Sequence, residues 1–331
     1  MLDSKIIGRY IEEDNKVKHF WTGSGIEFTT NSPELVLKVF AEYSKFEIWV
    51  AVELNGARIL RTMLLPGMNA IPVFRNLNPN EAKRVRVIRD SQATLDEDAN
   101  YMSVVEAEDF AGNKIPTTAT PDNKLSIEFI GDSITSGEGL KGAKEDMDFA
   151  YCYTSFDGNY ASLVARELDA DYSVISQCGY GISCGWNNDP SMKLPVVYKY
   201  ADGRSREYNF EKKFDYVVIN LGTNDNGAMY QEPFEGYKTS REEFREGMVD
   251  FLNYVMEKNP DSKIIWIIGM CEIDLAGEIK AVIESMNSSR ITFLKAKSCD
   301  ELDFGERSHP GPLTHREAAK MVIEEITHPH N

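Results

Sequence analysis

Up to about residue 110 the chain alternates short apolar runs with turn residues. Gly25-Ile26-Glu27-Phe28-Thr29, Leu35-Val36-Leu37-Lys38-Val39-Phe40, Phe46-Glu47-Ile48-Trp49-Val50-Ala51-Val52 and Arg84-Val85-Arg86-Val87-Ile88 have strand length and partial period-two alternation. Asn55-Gly56, directly after the third run, is a hairpin signal. Strands in succession without helices between them predict a β-sandwich.

After about residue 122 the pattern changes. Leu125–Ile130, Tyr172–Ser176, Tyr216–Asn220 and Ile264–Ile268 are largely apolar runs suited to strands buried on both faces. Helical stretches lie between them. The clearest opens at Ser240 with Glu243 as a capping box, carries Phe244, Met248, Phe251, Leu252 and Val255 on one face, and ends at Asn259-Pro260. Thr314 with Glu317 predicts a second capping box at the start of the last helix. The expected organisation is therefore two domains, a β-sandwich over residues 1–122 and an α/β domain over 123–331 with a mostly parallel sheet. In such a sheet ligands bind beyond the carboxyl ends of the strands.

Composition narrows the partners. With 331 residues, 42% of them hydrophobic, the chain can bury a real core. The 53 acidic against 36 basic residues give a formal charge of -17, which repels nucleic acid and anionic membrane surfaces and favours a neutral substrate. The first ten residues lack the apolar core of a secretory signal, and no later stretch is long enough to span a bilayer. Five cysteines, Cys152, Cys178, Cys184, Cys271 and Cys299, are an odd number without paired metal-ligand spacing. A reducing, cytoplasmic setting is the expectation.

Polar loops at predicted strand ends are the candidates for chemistry. Gly131-Asp132-Ser133 follows the first strand of the α/β segment; it reads as a turn and helix cap, or as a nucleophile loop if Ser133 has a base within reach. Gln177-Cys178-Gly179-Tyr180-Gly181 follows the second, as a turn or as a close backbone approach to a substrate. Leu221-Gly222-Thr223-Asn224-Asp225 follows the third, with Asn224 a cap or an oxyanion donor. Of five histidines, His328 and His330 lie in the tail and His19 in the front segment. His315 falls at a helix start and His309 in the loop before it, so His309 is favoured as a base.

Gly131-Asp132-Ser133, Gly179, Gly222-Thr223-Asn224-Asp225 and His309-Pro310 occur in the order of the four signature blocks of the SGNH (GDSL-type) hydrolases, and the chain resembles that family. The resemblance implies Ser133 as nucleophile and His309 as base. It also implies an oxyanion hole formed by the Ser133 and Gly179 N–H groups and the Asn224 amide. A narrower similarity runs through Trp21–Ile26, Asn159-Tyr160-Ala161, Ala165–Leu168, Ala170-Asp171-Tyr172 and Gly179-Tyr180-Gly181, and looks like the second family of carbohydrate esterases. It implies a jelly-roll domain ahead of the SGNH domain, and removal of O-acetyl groups from plant oligo- or polysaccharides without a metal or organic cofactor. An acetylated oligosaccharide is then the expected partner.

One position departs from the pattern. SGNH hydrolases commonly carry Asp three residues before the histidine, and Glu306 stands there. The resemblance to the carbohydrate esterases, which can lack a side-chain acid and orient the histidine through a backbone carbonyl, together with the extra methylene of Glu306, favours a Ser-His dyad. Trp186 fits either a sugar-binding surface or the core. Two other functions remain open on sequence: a lipolytic or thioester hydrolase on the same scaffold, and a carbohydrate-binding protein with a vestigial site.

Overall fold

A computed structural model describes residues 2–329; His330, one of the tail histidines, lies outside them. The front segment forms β1 (Lys5–Ile7), β2 (Ile11–Glu13), β3 (Lys16–Lys18), β4 (Gly25–Thr30), β5 (Leu35–Glu42), β6 (Ile48–Leu54), β7 (Ala57–Leu64), β8 (Gly67–Phe74), β9 (Lys83–Arg89), β10 (Tyr101–Glu108) and β11 (Thr118–Ala119). One antiparallel sheet has the order β1-β4-β9-β6-β7 with β11 beside β4, and a second has the order β10-β5-β8. Alternate residues of facing strands, among them Phe28, Leu37, Val39, Val50, Val52, Val85 and Val87, bury a common core. The Asn55-Gly56 signal holds: β6 and β7 pair across it, and both residues take positive φ, 53° and 86°.

The second segment comprises β12 (Leu125–Gly131), β13 (Ala170–Ser176), β14 (Tyr216–Asn220), β15 (Lys263–Ile268) and β16 (Ile291–Lys295), all parallel, in the order β13-β12-β14-β15-β16. The helices are α1 (Ser133–Ser136), α2 (Tyr160–Glu167), α3 (Leu194–Val197), α4 (Thr223–Ala228), α5 (Arg241–Lys258), α6 (Ala276–Ser285) and α7 (Pro312–Thr327). Ile127, Phe129, Val218, Ile265 and Ile267 pack on one face with α2 and α7. Ile130, Val217, Ile219, Ile264 and Trp266 pack on the other with α5 and α6. Burial on both faces explains why these strands read as continuous apolar runs.

α5 begins as expected, with Ser240 Oγ accepting from the Glu243 N–H at 3.1 Å. Its Glu243 carboxylate is taken by the Tyr237 hydroxyl at 2.7 Å instead. The second capping box does not form. α7 starts two residues earlier, with Pro312 in its first turn, and Asp303 from a preceding 3-10 turn accepts from the Leu313 and Thr314 N–H groups at 3.0 and 2.7 Å. An acid from outside the helix has replaced the local cap, and Glu317 pairs with Lys320 at 2.6 Å.

The front sheets grip the loops that lead to the site. Asp90, at the end of β9, accepts from the Phe156 N–H at 3.0 Å and pairs with Arg58 and Arg61 at 3.0 and 2.6 Å. Arg61 also donates to the Cys152 and Thr154 carbonyls at 3.1 and 2.8 Å. On the other side Arg9 donates to buried Glu128 at 3.1 Å, and Trp21 Nε1 donates to the Ala201 carbonyl at 2.7 Å.

Candidate active site

Register places three loops at one edge. Gly131 of β12 lies level with Ser176 of β13 and Asn220 of β14, so the chains running on to Ser133, Gly179 and Asn224 leave the sheet side by side. Asp132 caps α1 by accepting from the Ile134 N–H at 3.0 Å, which puts Ser133 at the first helical position. The cap reading of this loop holds, and it leaves Ser133 at the start of α1.

His309 reaches the same edge from the loop before α7. Its Nε2 lies 3.0 Å from Ser133 Oγ, and its Nδ1 lies 3.3 Å from the Glu306 carbonyl oxygen. A carbonyl can only accept, so Nδ1 carries the proton of the neutral ring and Nε2 is left as acceptor for the Ser133 hydroxyl. That is the tautomer a general base needs. His315, the competing histidine, is fully buried in the first turn of α7, where its Nδ1 accepts from the Tyr160 N–H at 3.1 Å. Burial holds its pKa down at about 4.

Glu306 contributes its main chain rather than its carboxylate. The side chain is buried with Oε2 unpartnered, and burial together with the charge of Glu138 pushes its pKa up to about 7. Glu138, which sequence reasoning missed, is also buried; its Oε2 stands 3.7 Å from His309 Nε2.

Asn224 sits in the first turn of α4. Its Nδ2 donates to the Tyr180 carbonyl at 2.9 Å and to Asp132 Oδ2 at 3.3 Å. Asp225 is buried and accepts from the Ile182 and Ser183 N–H groups at 2.9 and 2.8 Å, fixing the Gly179 loop against α4. Burial raises the pKa of Asp225, and it raises that of Asp132 to about 7 with help from Asp225 and Glu138. Gly179 has φ +79°, and a Cβ there would lie 2.9 Å from Met192 and 3.1 Å from Trp186, so the position requires glycine. Trp186 packs against it while 49% exposed, which excludes the core reading.

A parallel α/β sheet with a Ser-His pair, a glycine loop and an asparagine gathered at its carboxyl edge defines an SGNH-type hydrolase scaffold. Residues 129–319 match the GDSL-like Lipase/Acylhydrolase family, and the chain belongs to that family. Its structure superposes on an acetyl xylan esterase, Est2A, from the rumen bacterium Butyrivibrio proteoclasticus. The TM-score is 0.91, with 32% identity over 98% of this chain and 94% of that one. A family two carbohydrate esterase from Clostridium thermocellum, solved in complex with cellohexaose, shares the fold with a TM-score of 0.87 at 22% identity, covering 98% of each chain. Among curated proteins it is similar to the cellulase/esterase CelE of Acetivibrio thermocellus, 24% identical over 96% of this chain. The chain spans 38% of the length of that relative.

Proposed function

We propose that this chain is a serine esterase that removes O-acetyl groups from plant-derived oligo- or polysaccharides. The observation that carries the reading is the 3.0 Å contact of His309 Nε2 with Ser133 Oγ, on a ring whose other nitrogen is held by a carbonyl. In this reading Ser133 attacks the ester carbonyl as its proton passes to His309 Nε2. The Ser133 and Gly179 N–H groups and the Asn224 amide receive the oxyanion, one such donor being worth about 3 to 4 kcal/mol of barrier. His309 then protonates the sugar oxygen as the tetrahedral species collapses to acetyl-Ser133. Water attacks the acetyl group under the same base, releasing acetate. The 3.3 Å bond from Asn224 to Asp132 is the longer of its two and the one that yields to the oxyanion.

The sugar assignment draws support from Trp186, whose exposed face beside Gly179 suits a pyranose ring. It also draws on the acetyl xylan esterase likeness over nearly the whole chain. We read residues 1–122 as a jelly-roll domain and 123–331 as the catalytic domain. We further infer a cytoplasmic setting, which the free thiols support, and no nucleic acid or membrane partner, which the charge of -17 supports.

Hydrolysis of aryl acetate against longer aryl esters tests the class. Acetate preference abolished by Ser133→Ala in a folded protein is expected. Long-chain preference would make the chain a lipolytic hydrolase, and silence a binding protein with a vestigial site. Acetylated oligosaccharides followed by NMR then identify the glycan and the hydroxyl.

A further inference from the structure

Glu138 belongs to none of the signature blocks, yet the chain is shaped to deliver it. Gly137 and Gly139 flank it with φ +83° and +88°, in the left-handed region. A Cβ on Gly137 would collide with the Ser155 carbonyl, and one on Gly139 would sit 2.7 Å from His309 Cβ. The Glu138 N–H donates to the Ser133 carbonyl at 3.0 Å. The turn is thus wedged between the Ser133 helix and the His309 loop.

The carboxylate it delivers is 1% exposed and fully engaged. Arg307 Nη1 donates to Oε1 at 2.6 Å, and the Cys178 thiol donates to Oε2 at 2.8 Å. Burial and the charge of Glu138 hold that thiol's pKa well up, so it stays an S–H donor. Arg307 reaches Glu138 from a backbone with φ 51° and ψ 34°, followed by Ser308 at φ 60°. Two successive non-glycine residues in the left-handed region are strained. The strain is stored one and two residues ahead of His309.

We propose that Glu138 is a positioning residue for the reaction: its carboxylate stabilises protonated His309 from the serine side of the ring, doing electrostatically what a triad acid does from the Nδ1 side. The inference rests on the reading of Ser133 and His309 as nucleophile and base. At rest Nε2 carries no proton, accepts from the Ser133 hydroxyl at 3.0 Å and lies 3.7 Å from Glu138 Oε2. When Ser133 attacks, its proton arrives on Nε2 and the ring becomes a cation. The Glu306 carbonyl answers that charge with only a dipole, whereas Glu138 faces it with a formal negative charge inside a buried cluster. Arg307 offsets part of that field but lies on the far oxygen. The other titratable groups around the pair are Cys178 from the loop after β13, Asp132 from the end of β12, Asp146, Glu306, and His315 from α7.

The test is the pH profile of aryl acetate hydrolysis by the full chain. Glu138→Gln keeps the shape and removes the charge. It is expected to lower kcat about a hundredfold, leave KM within about threefold, and move the acid limb of kcat/KM down by about one pH unit. Glu138→Asp, with the charge withdrawn by one methylene, is expected to fall between the two. A wild-type profile and kcat in Glu138→Gln overturns the inference and leaves the dyad reading intact. If the Gln variant does not fold, an unshifted acid limb in Glu138→Asp overturns it in the same way. Wild-type hydrolysis that survives Ser133→Ala removes the underlying reading and this inference with it.

Discussion

His309 Nδ1 donates to the carbonyl oxygen of Glu306 at 3.3 Å, at the long edge of an N–H···O hydrogen bond, while the Glu306 carboxylate makes no bond to the ring. The residue standing where the family carries an acid orients the histidine through its backbone. Because Gln keeps that carbonyl, Glu306→Gln is expected to cost less than about tenfold in kcat. A drop of about a thousandfold, with folding checked by circular dichroism, would return the carboxylate to the mechanism.

Asn224 holds Tyr180 and Asp132 in the resting site. In the proposed mechanism loss of its amide removes an oxyanion donor, but it takes no cap from α4, whose N-cap residue is Gly222. Asn224→Ala is therefore expected to lower kcat about a hundredfold or more with a melting temperature within a few degrees of the parent. A loss of activity that tracks unfolding would instead make Asn224 a structural cap.

Ser133, Gly179 and Asn224 were legible in the sequence because each sits in a short motif just past a strand end, and parallel register brings those ends together; His309 was legible as the histidine in the loop before the last helix. The buried strands were legible by composition, and α5 by its Ser240 cap. The start of α7 was not, because its cap is Asp303, nine residues before Pro312 and outside any local pattern. Nor was Glu138, whose meaning depends on Arg307 and Cys178 arriving from distant loops. The one local trace of it was the glycine on either side.

Gly139 offers a steric route to the same geometry. A methyl group there meets His309 Cβ at 2.7 Å, and φ +88° strains any L-residue. Gly139→Ala is expected to push the imidazole off Ser133, lowering kcat at least tenfold while KM for a small aryl acetate changes little. An unaltered kcat would show that the His309 loop can retreat without losing the contact.

Buried histidines predict how the fold responds to acid. His19 is fully buried with neither ring nitrogen partnered, and burial lowers its pKa from 6.5 to about 3; His315 is lowered to about 4. The unfolded chain binds these two protons once the pH falls below 6.5, so the stability they contribute is complete above that pH and is lost on acidification. Asp132 and Glu306 act with the opposite sign. Their pKa values of about 7 mean that the folded state keeps protons the unfolded chain releases above 3.8 and 4.5. Between about pH 4.5 and 6.5 the two pairs offset one another, and the opposition fades as the pH falls through 4.5 and 3.8. Replacing His19 with Leu removes one proton uptake without touching the site. Relative to the parent, the melting temperature of His19→Leu should rise by about 5 °C between pH 7 and pH 4, corresponding to about 3 kcal/mol at one fully buried imidazole. Scanning calorimetry across that range decides it: parallel curves would mean that His19 takes up its proton in the folded state.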